Sequence, residues 1–296
     1  MLIRRTLAST LRAAASLGGV WLLLQALPRW LPEDAARIAA GEWANESEVA
    51  ALRHLMRLDL PLHQALGDSM NDLLHGSLGM SLRFHRPVSD VLRDGFPVSL
   101  RLACFSLILS ALLAWMMAGT SERAKWLRAV AVASPVYVAG PLLLWAVAQH
   151  VRWIPVAGIQ GWTTWMLPCL ALAIPLAGHQ SRILAARLES LRGALGLRAW
   201  EAAGVPKSTR WLRWLLPAVA GPWLTVVGLQ LGGLLGGAVL TETIFSLPGL
   251  GLQLVGALSA RDLPMLQGTV LLGAAFYVAT QLAVEWCQGF LDPRAR

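Results

Sequence analysis

The residues of this chain most able to do chemistry are the charged side chains of one short basic segment, residues 195–216. It sets one acid, Glu201, against four basic residues: Arg198, Lys207, Arg210 and Arg213. Long apolar segments precede and follow it. Three interleaved tryptophans add large apolar faces, and tryptophan and arginine are favoured anchors of protein interfaces. The pattern indicates docking of a partner protein, and an amphipathic helix lying on lipid headgroups is the alternative.

No catalytic or metal-binding pattern accompanies this segment. The sequence contains no HExxH or GxSxG motif and no aspartate pair inside an apolar segment. Its 3 cysteines and 6 histidines lack the spacing of metal ligands. Neither lysine, Lys125 or Lys207, follows a glycine, so a GxxxxGK phosphate loop is absent. We therefore expect a non-enzymatic subunit with no catalytic residue, metal or cofactor of its own, and any ATP and magnesium would be bound by partner subunits.

Composition indicates a membrane protein. Of the 296 residues, 56% are hydrophobic and 14% are charged, whereas soluble domains carry about 25% charged residues. The net charge of +8 is concentrated in short segments between apolar runs. That distribution follows the positive-inside rule and argues against nucleic acid as a partner.

Six apolar segments have roughly the 20 residues that a bilayer-spanning helix needs. They lie at residues 6–27, 98–118, 129–148, 165–184, 217–240 and 265–287. The first resembles the start of a signal peptide but lacks a clear cleavage site, so we expect a retained span. The basic loops place both termini in the cytoplasm. The prediction is an all-α polytopic membrane protein with six transmembrane helices.

The segments between the spans complete the domain plan. Residues 1–28 form the first span, 29–97 a small external domain, 98–288 a core of five helices, and 289–296 a cytoplasmic tail. The external domain carries ten acids against seven arginines, and residues 47–58 predict an amphipathic helix capped by Ser47. Residues 241–264 predict a short external or re-entrant helix. Glu242, at a span end, is predicted to lie at the membrane interface.

Small residues mark two further features. Glycines recur at four-residue steps in the fifth span, a pattern that lets another helix approach closely: Gly228, Gly232 and Gly236, with Gly233 and Gly237 beside them. They fit either packing inside the subunit or a seam with a second subunit along a pathway. In the basic segment, helix formers end at Gly204, a natural helix stop, and Ser208 or Thr209 is expected to cap a second helix.

These motifs resemble the permease subunits of the peptide/nickel family of ABC importers over nearly the full chain. The signature of such permeases is EAA, three residues, glycine, and a stretch ending in Leu-Pro. Here Gly204 and Leu216-Pro217 match in register, and the EAA positions hold Arg198, Ala199 and Trp200; Trp200 departs from the small residue expected. Further matches are GLQLGG at 228–233, ETIF at 242–245, PGLG at 248–251, RDLP at 261–264, LDPR at 291–294, and, in the external domain, LDLP at 58–61, GSLGMS at 76–81 and RPV at 86–88.

The resemblance implies a type I ABC importer fold in a bacterial inner membrane. This subunit would form half of a translocation pathway with a second homologous permease. Two cytoplasmic ABC ATPases would dock on coupling segments such as residues 193–215 here, and a periplasmic or lipoprotein binding protein would deliver substrate. Peptides, nickel or metal-chelate complexes are the substrates implied. From the residues alone, a channel or secondary transporter not coupled to ATP stays open.

Overall fold

The computed structural model describes residues 2–150, 157–192 and 194–291 of the chain. Within these ranges the elements are α-helices joined by short turns. They are α1 Leu2–Trp30, α2 Ala35–Ala40, α3 Glu46–Leu55, α4 Leu62–Leu74, α5 Val88–Met117, α6 Glu122–Ala133, α7 Val136–His150, α8 Met166–Arg192, α9 Leu195–Ala202, α10 Lys207–Arg210, α11 Leu216–Gly237, α12 Val239–Ile244, α13 Leu250–Ser259 and α14 Leu263–Leu291. Five are long and apolar enough to cross a membrane, and six spans result if α6 and α7 count as one bent span. The predicted all-α polytopic fold is confirmed.

Helix α8 lies at the centre of the bundle and packs against α5, α6, α7 and α11. Half of its apolar stretch, 50%, is buried inside the chain, compared with 6% for α1 and 11% for α14. The core between α5 and α8 is made of small and branched side chains, among them Leu102, Ala103 and Ala171. The poorly buried α1 and α14 pack against each other, so their remaining apolar surface faces lipid or another subunit.

The second long helix begins ten residues before the predicted span at 98–118. Helix α5 starts at Val88, directly after Pro87, and therefore extends into the part of the chain assigned to the external domain. Val88, Val91 and Leu92 are buried on one helical face against Leu250 and other residues near α13 and α14. These residues are spaced i, i+3, i+4, and their contact stabilises the additional helical turns. The polar residues between Val88, Val91 and Leu92 interrupt the apolar run, so the sequence did not indicate a span there.

The third predicted span, residues 129–148, is not one helix. Helices α6 and α7 meet at an angle of 105°. Ser134, just before Pro135, has an extended backbone, because the proline ring disfavours the helical conformation in the residue before it. Pro135 also has no N–H to continue the helix. The sequence predicted one continuous span here, and the structure contains a break.

The segment predicted to be an external domain consists of α2, α3, α4 and the turns that lead to α5. Helix α3 begins with a reciprocal capping box, in which Asn45 accepts from the Glu48 N–H and Glu48 accepts from the Asn45 N–H. Asn45 therefore caps this helix, and the prediction that Ser47 does so is wrong. Helix α1 ends at Trp30, two residues beyond the first span predicted at 1–28.

Candidate docking hairpin and the contacts behind it

Residues 195–216 form a compact helical hairpin, called here the basic hairpin. Its first arm, α9, ends in a Schellman motif at Gly204. The Gly204 N–H donates to the Glu201 carbonyl at 3.0 Å, and the Val205 N–H donates to the Trp200 carbonyl at 3.1 Å. Gly204 has φ +71°, and a Cβ built there would meet no atom within 4 Å. Backbone conformation alone, and not crowding, therefore requires glycine at this turn.

The second arm continues into the fifth span without a break. Its helix starts at Lys207 with Pro206 as N-cap, so neither Ser208 nor Thr209 caps it as predicted. A π-helical turn follows over Trp211–Leu215, in which the Leu216 N–H donates to the Trp211 carbonyl. Pro217 comes next, and a proline lacks an N–H and crowds the carbonyl four residues earlier. The wider π turn relieves that crowding, which gives the Leu-Pro pair a structural reason.

Contacts between the two arms make the hairpin one body. Arg210 pairs with Glu201 at 2.5 Å, and its side chain is only 13% exposed. Gly196 of the first arm lies under the Trp214 ring, so close that a Cβ would approach the ring to 3.2 Å. Leu197 is buried as well. The sequence identified Glu201 only as the one acid of the segment and did not predict its partner.

The outer face of the basic hairpin is polar and open. Arg198, Ala199, Gly204 and Lys207 are exposed, while Trp200 is half-buried. Leu216 is half-buried and Pro217 exposed at the junction with the fifth span. Arg198 makes no ion pair within the described part of the chain. In the first arm Leu197 faces the chain itself, and the surface offered outward consists largely of backbone, small side chains and positive charge. The second arm adds the exposed apolar side chains of Trp211 and Leu212.

An aromatic and amide cluster connects the basic hairpin to three spans. We call Trp115, Trp211, Trp223 and Gln180 the Trp–Gln cluster. The Trp115 ring lies 5.2 Å from that of Trp211 in the π turn and 5.7 Å from that of Trp223 in α11. Trp223 Nε1 donates to Gln180 Oε1 at 3.3 Å. The hairpin is thus in continuous contact with α5, α11 and α8.

Gln180 is the polar centre of this arrangement and is fully buried. Its Nε2 donates to Ser110 Oγ at 2.9 Å and to Gln230 Oε1 at 2.6 Å. Gln230 Nε2 in turn donates to the Leu176 carbonyl at 3.3 Å. Polar side chains within spans act as contacts between helices. The signal in the sequence was an amide inside an apolar stretch, and its partners were not identifiable because they come from different spans.

The fifth-span glycines lie on two different faces of α11. A Cβ at Gly228 would overlap Val284, and one at Gly232 would approach the Tyr277 ring to 2.7 Å, so both lie against α14. Gly233 has nothing within 4 Å of its Cβ position. The surroundings of the last two positions in the stripe, Gly236 and Gly237, lie outside the described residues.

Glu242, which was predicted to lie at the membrane interface, is completely buried inside the chain and caps a helix. Its Oε2 accepts from the Gly251 and Leu252 N–H groups at 2.7 and 3.2 Å, in the first turn of α13. Its Oε1 accepts from Ser99 Oγ at 2.6 Å. A carboxylate satisfies the free N–H groups and the positive end of a helix. A Cβ at Gly249 would overlap the carboxylate, so the ETIF and PGLG motifs form one unit.

Asp262 makes the corresponding connection at the other end of α13. It is fully buried and accepts from Ser81 Oγ at 2.5 Å and the Arg83 N–H at 3.0 Å. Its other oxygen accepts from the Met265 N–H at 3.1 Å, at the start of α14. The GSLGMS and RDLP motifs therefore join the external domain to α14, and α13 is fixed at both ends by a buried acid.

Comparisons with known proteins agree with this architecture. Residues 106–296 match the family described as binding-protein-dependent transport system inner membrane component. The chain is 31% identical to a probable peptide ABC transporter permease of Sinorhizobium fredii, over 99% of this chain and 98% of the relative. It is 30% identical to the glutathione transport system permease of Salmonella typhimurium, over 90% of each chain. In the crystal structure of an amino acid ABC transporter with histidines, a chain 16% identical superposes with a TM-score of 0.52, covering 70% of this chain and 94% of that one; this likeness concerns the fold.

Proposed function

Because this chain belongs to the family of binding-protein-dependent transport system inner membrane components, we propose that it is one of two related permease subunits of an ATP-driven importer. Two cytoplasmic ATPases each receive one coupling segment, and in this chain that segment is the basic hairpin. A binding protein on the other side of the membrane delivers the substrate to the external face. Both termini of the chain lie in the cytoplasm, as the distribution of basic residues favours.

The observation that carries the proposal is the contact between the basic hairpin and the Trp–Gln cluster. A docking element must be rigid itself and must be attached to the spans that it moves. The Glu201–Arg210 pair supplies the first property, and the tilted ring contact between Trp211 and Trp115 supplies the second. A helix that lies on lipid keeps a continuous apolar face for the membrane. In the first arm Leu197 faces the chain itself, and Arg198 and Ala199 are exposed, so this arm favours a protein partner; the exposed apolar side chains of the hairpin, Trp211 and Leu212, lie in the second arm.

Peptides are the substrate class that we propose. The relatives with which this chain shares most of its length are named for peptides and for glutathione, itself a small peptide. Nickel, implied by the wider family resemblance, has no such support. The external domain and the turn formed by α12 and α13 face the side from which a binding protein would deliver the peptide.

Pull-down of the tagged chain from its native membranes in mild detergent tests this proposal. We expect two ATPases and a second permease to remain bound. Arg198→Glu should remove the ATPases and leave the second permease, because it reverses a charge on the open face of the hairpin. Arg123→Glu is the matched control, since Arg123 is also exposed and lies in the first turn of α6, in another basic segment. Recovery of the chain without ATPases from wild-type membranes would refute ATP coupling, and equal recovery with both variants would refute docking at Arg198.

A further inference from the structure

A cavity of about 370 Å³ lies where the end of α1, the start of α14 and the external helices α3 and α4 meet. Ligand sites in proteins typically have volumes of about 300–1,000 Å³. The two candidate spans that border the cavity are Leu7–Trp30 and Leu263–Gln288. Since one ends and the other begins beside it, the cavity lies at the membrane boundary, whichever way the chain is oriented.

The lining of the cavity is amphipathic. Trp21 and Leu24 of α1 and Leu271 of α14 contribute apolar surface on the membrane side. The charged residues of the lining are Arg29, Arg57 and Asp72, which sum to a charge of +1. Arg57 and Asp72 pair with each other at 2.7 Å. The positive charge that remains is that of Arg29.

Arg29 is held in place but not neutralised. Its Nη2 donates to the carbonyls of Arg57 and Leu60, both at 2.9 Å. It is half-buried, and no carboxylate lies within ion-pair distance of it in the described part of the chain. A partly buried cation is stabilised by an anion. Arginine binds phosphate with two parallel hydrogen bonds, and Nη1 and Nε remain for such a ligand.

We propose that this cavity binds one anionic phospholipid, with its phosphodiester on Arg29 and an acyl chain against Trp21, Leu24 and Leu271. The single negative charge of a phosphatidylglycerol-type lipid matches the single unneutralised positive charge of the lining. Lipid can surround this end of α1, because only 6% of its apolar stretch is buried within the chain. A lipid bound there connects the external helices to α1 and α14, and it belongs to the structure irrespective of what is transported.

The test uses the full chain with its co-purifying partners in phosphatidylcholine nanodiscs that contain a trace of phosphatidylglycerol with a photoactivatable acyl chain. After irradiation, mass spectrometry identifies the labelled peptides. We expect labelling within 21–24 and 263–271, where the acyl chain lies. Arg29→Gln should lower it about tenfold, since a lost charge-assisted hydrogen bond has an effect of that order, and Arg29→Lys should retain part of it. Ala65→Phe, which fills the cavity from α4, should abolish it.

Arg93→Gln is the matched control, because Arg93 is exposed, forms no ion pair in the described residues and is not part of the cavity lining. Equal labelling of the Arg29→Gln and Arg93→Gln variants would overturn the proposal. So would equal labelling by a zwitterionic phosphatidylcholine probe, which would identify ordinary boundary lipid. Displacement of the label by a transported peptide would also overturn it, because the cavity would then belong to the substrate pathway. Identical thermal melting of wild type and Arg29→Gln excludes misfolding as the cause of lost labelling.

Discussion

At the scale of the single residue, glycine is required at position 204 by its left-handed backbone conformation and not by a lack of space for a side chain. An L-residue in the left-handed conformation costs about 1–2 kcal/mol, and a β-branched residue is especially unfavourable there. Gly204→Val should therefore distort the turn between the arms of the basic hairpin. In the reconstituted importer we expect ATPase activity and assembly to persist while peptide uptake per ATP falls severalfold.

Gly204→Asn provides the comparison for this experiment. Asparagine tolerates the left-handed conformation better than other non-glycine residues, and the open space around Gly204 accommodates its side chain. Uptake by the Asn variant should lie close to that of wild type. If the Val variant transports as well as wild type does, the hairpin turn has no part in coupling.

Glu242 is a buried acid whose two carboxyl oxygens both accept hydrogen bonds. Glu242→Gln keeps the shape but replaces one accepting oxygen by an NH₂ group, so either the Gly251 and Leu252 N–H groups or the Ser99 O–H loses its acceptor. The mismatch should cost about 1–3 kcal/mol of stability, measured as a lower melting temperature of the purified protein in detergent. Glu285→Gln is the control, since the Glu285 side chain is 44% exposed and lies 3.6 Å from Arg12. Equal melting temperatures for the two variants would contradict a capping role.

The role of Gly204 could be predicted from the sequence, whereas the roles of Glu242 and Gln180 could not. Gly204 was predictable because a run of helix formers ends there, and this signal is local. The burial of Glu242 was not predictable, because the groups that it binds are contributed by Ser99 and by α13, which the fold brings together. The same holds for Gln180, whose partners lie 50 and 70 residues away along the chain.

At the scale of the element, the Trp–Gln cluster lets movement of the basic hairpin reach the spans. Trp115→Leu removes the ring that lies between Trp211 and Trp223, but it leaves the outer face of the hairpin unchanged. We expect the ATPases still to co-purify and uptake per ATP to fall, because an aromatic pair contributes about 0.5–1.5 kcal/mol beyond its buried area. Trp126→Leu is the control, since Trp126 is 66% exposed and lies on α6. Unimpaired uptake by the Trp115 variant would mean that coupling follows another route.

The helices themselves were predictable to different degrees. Apolar stretches of bilayer length located the spans, because the membrane imposes that length on every spanning helix. The start of α5 at Val88 and the 105° angle between α6 and α7 were not predictable. Pro135 indicates that a helix is interrupted, but packing against α8 sets the direction that each part takes. The π turn before Pro217 was likewise not predictable. It is caused by the crowding of that one proline and not by the helix propensities of the residues that form the turn.

At the scale of the whole molecule, the peripheral position of α11 and α14 raises the question of where a second permease packs. Two neighbouring glycines of α11 distinguish packing within the subunit from a seam with a second subunit. Gly232 lies against Tyr277 of α14, whereas Gly233 has open space around its Cβ position. A close-packed seam between subunits needs small residues on a face that is otherwise unoccupied, and Gly233 meets that condition while Gly232 does not.

Leucine at each of these positions should therefore have opposite consequences. Gly232→Leu forces α11 away from α14 and should lower the melting temperature of the chain itself, since overpacking a fitted contact costs about 1–3 kcal/mol. Gly233→Leu should leave the chain stable and reduce recovery of the second permease in a mild-detergent pull-down. If Gly233→Leu retains its partner in full, the seam lies on another face, and the fifth-span glycines serve packing within the subunit.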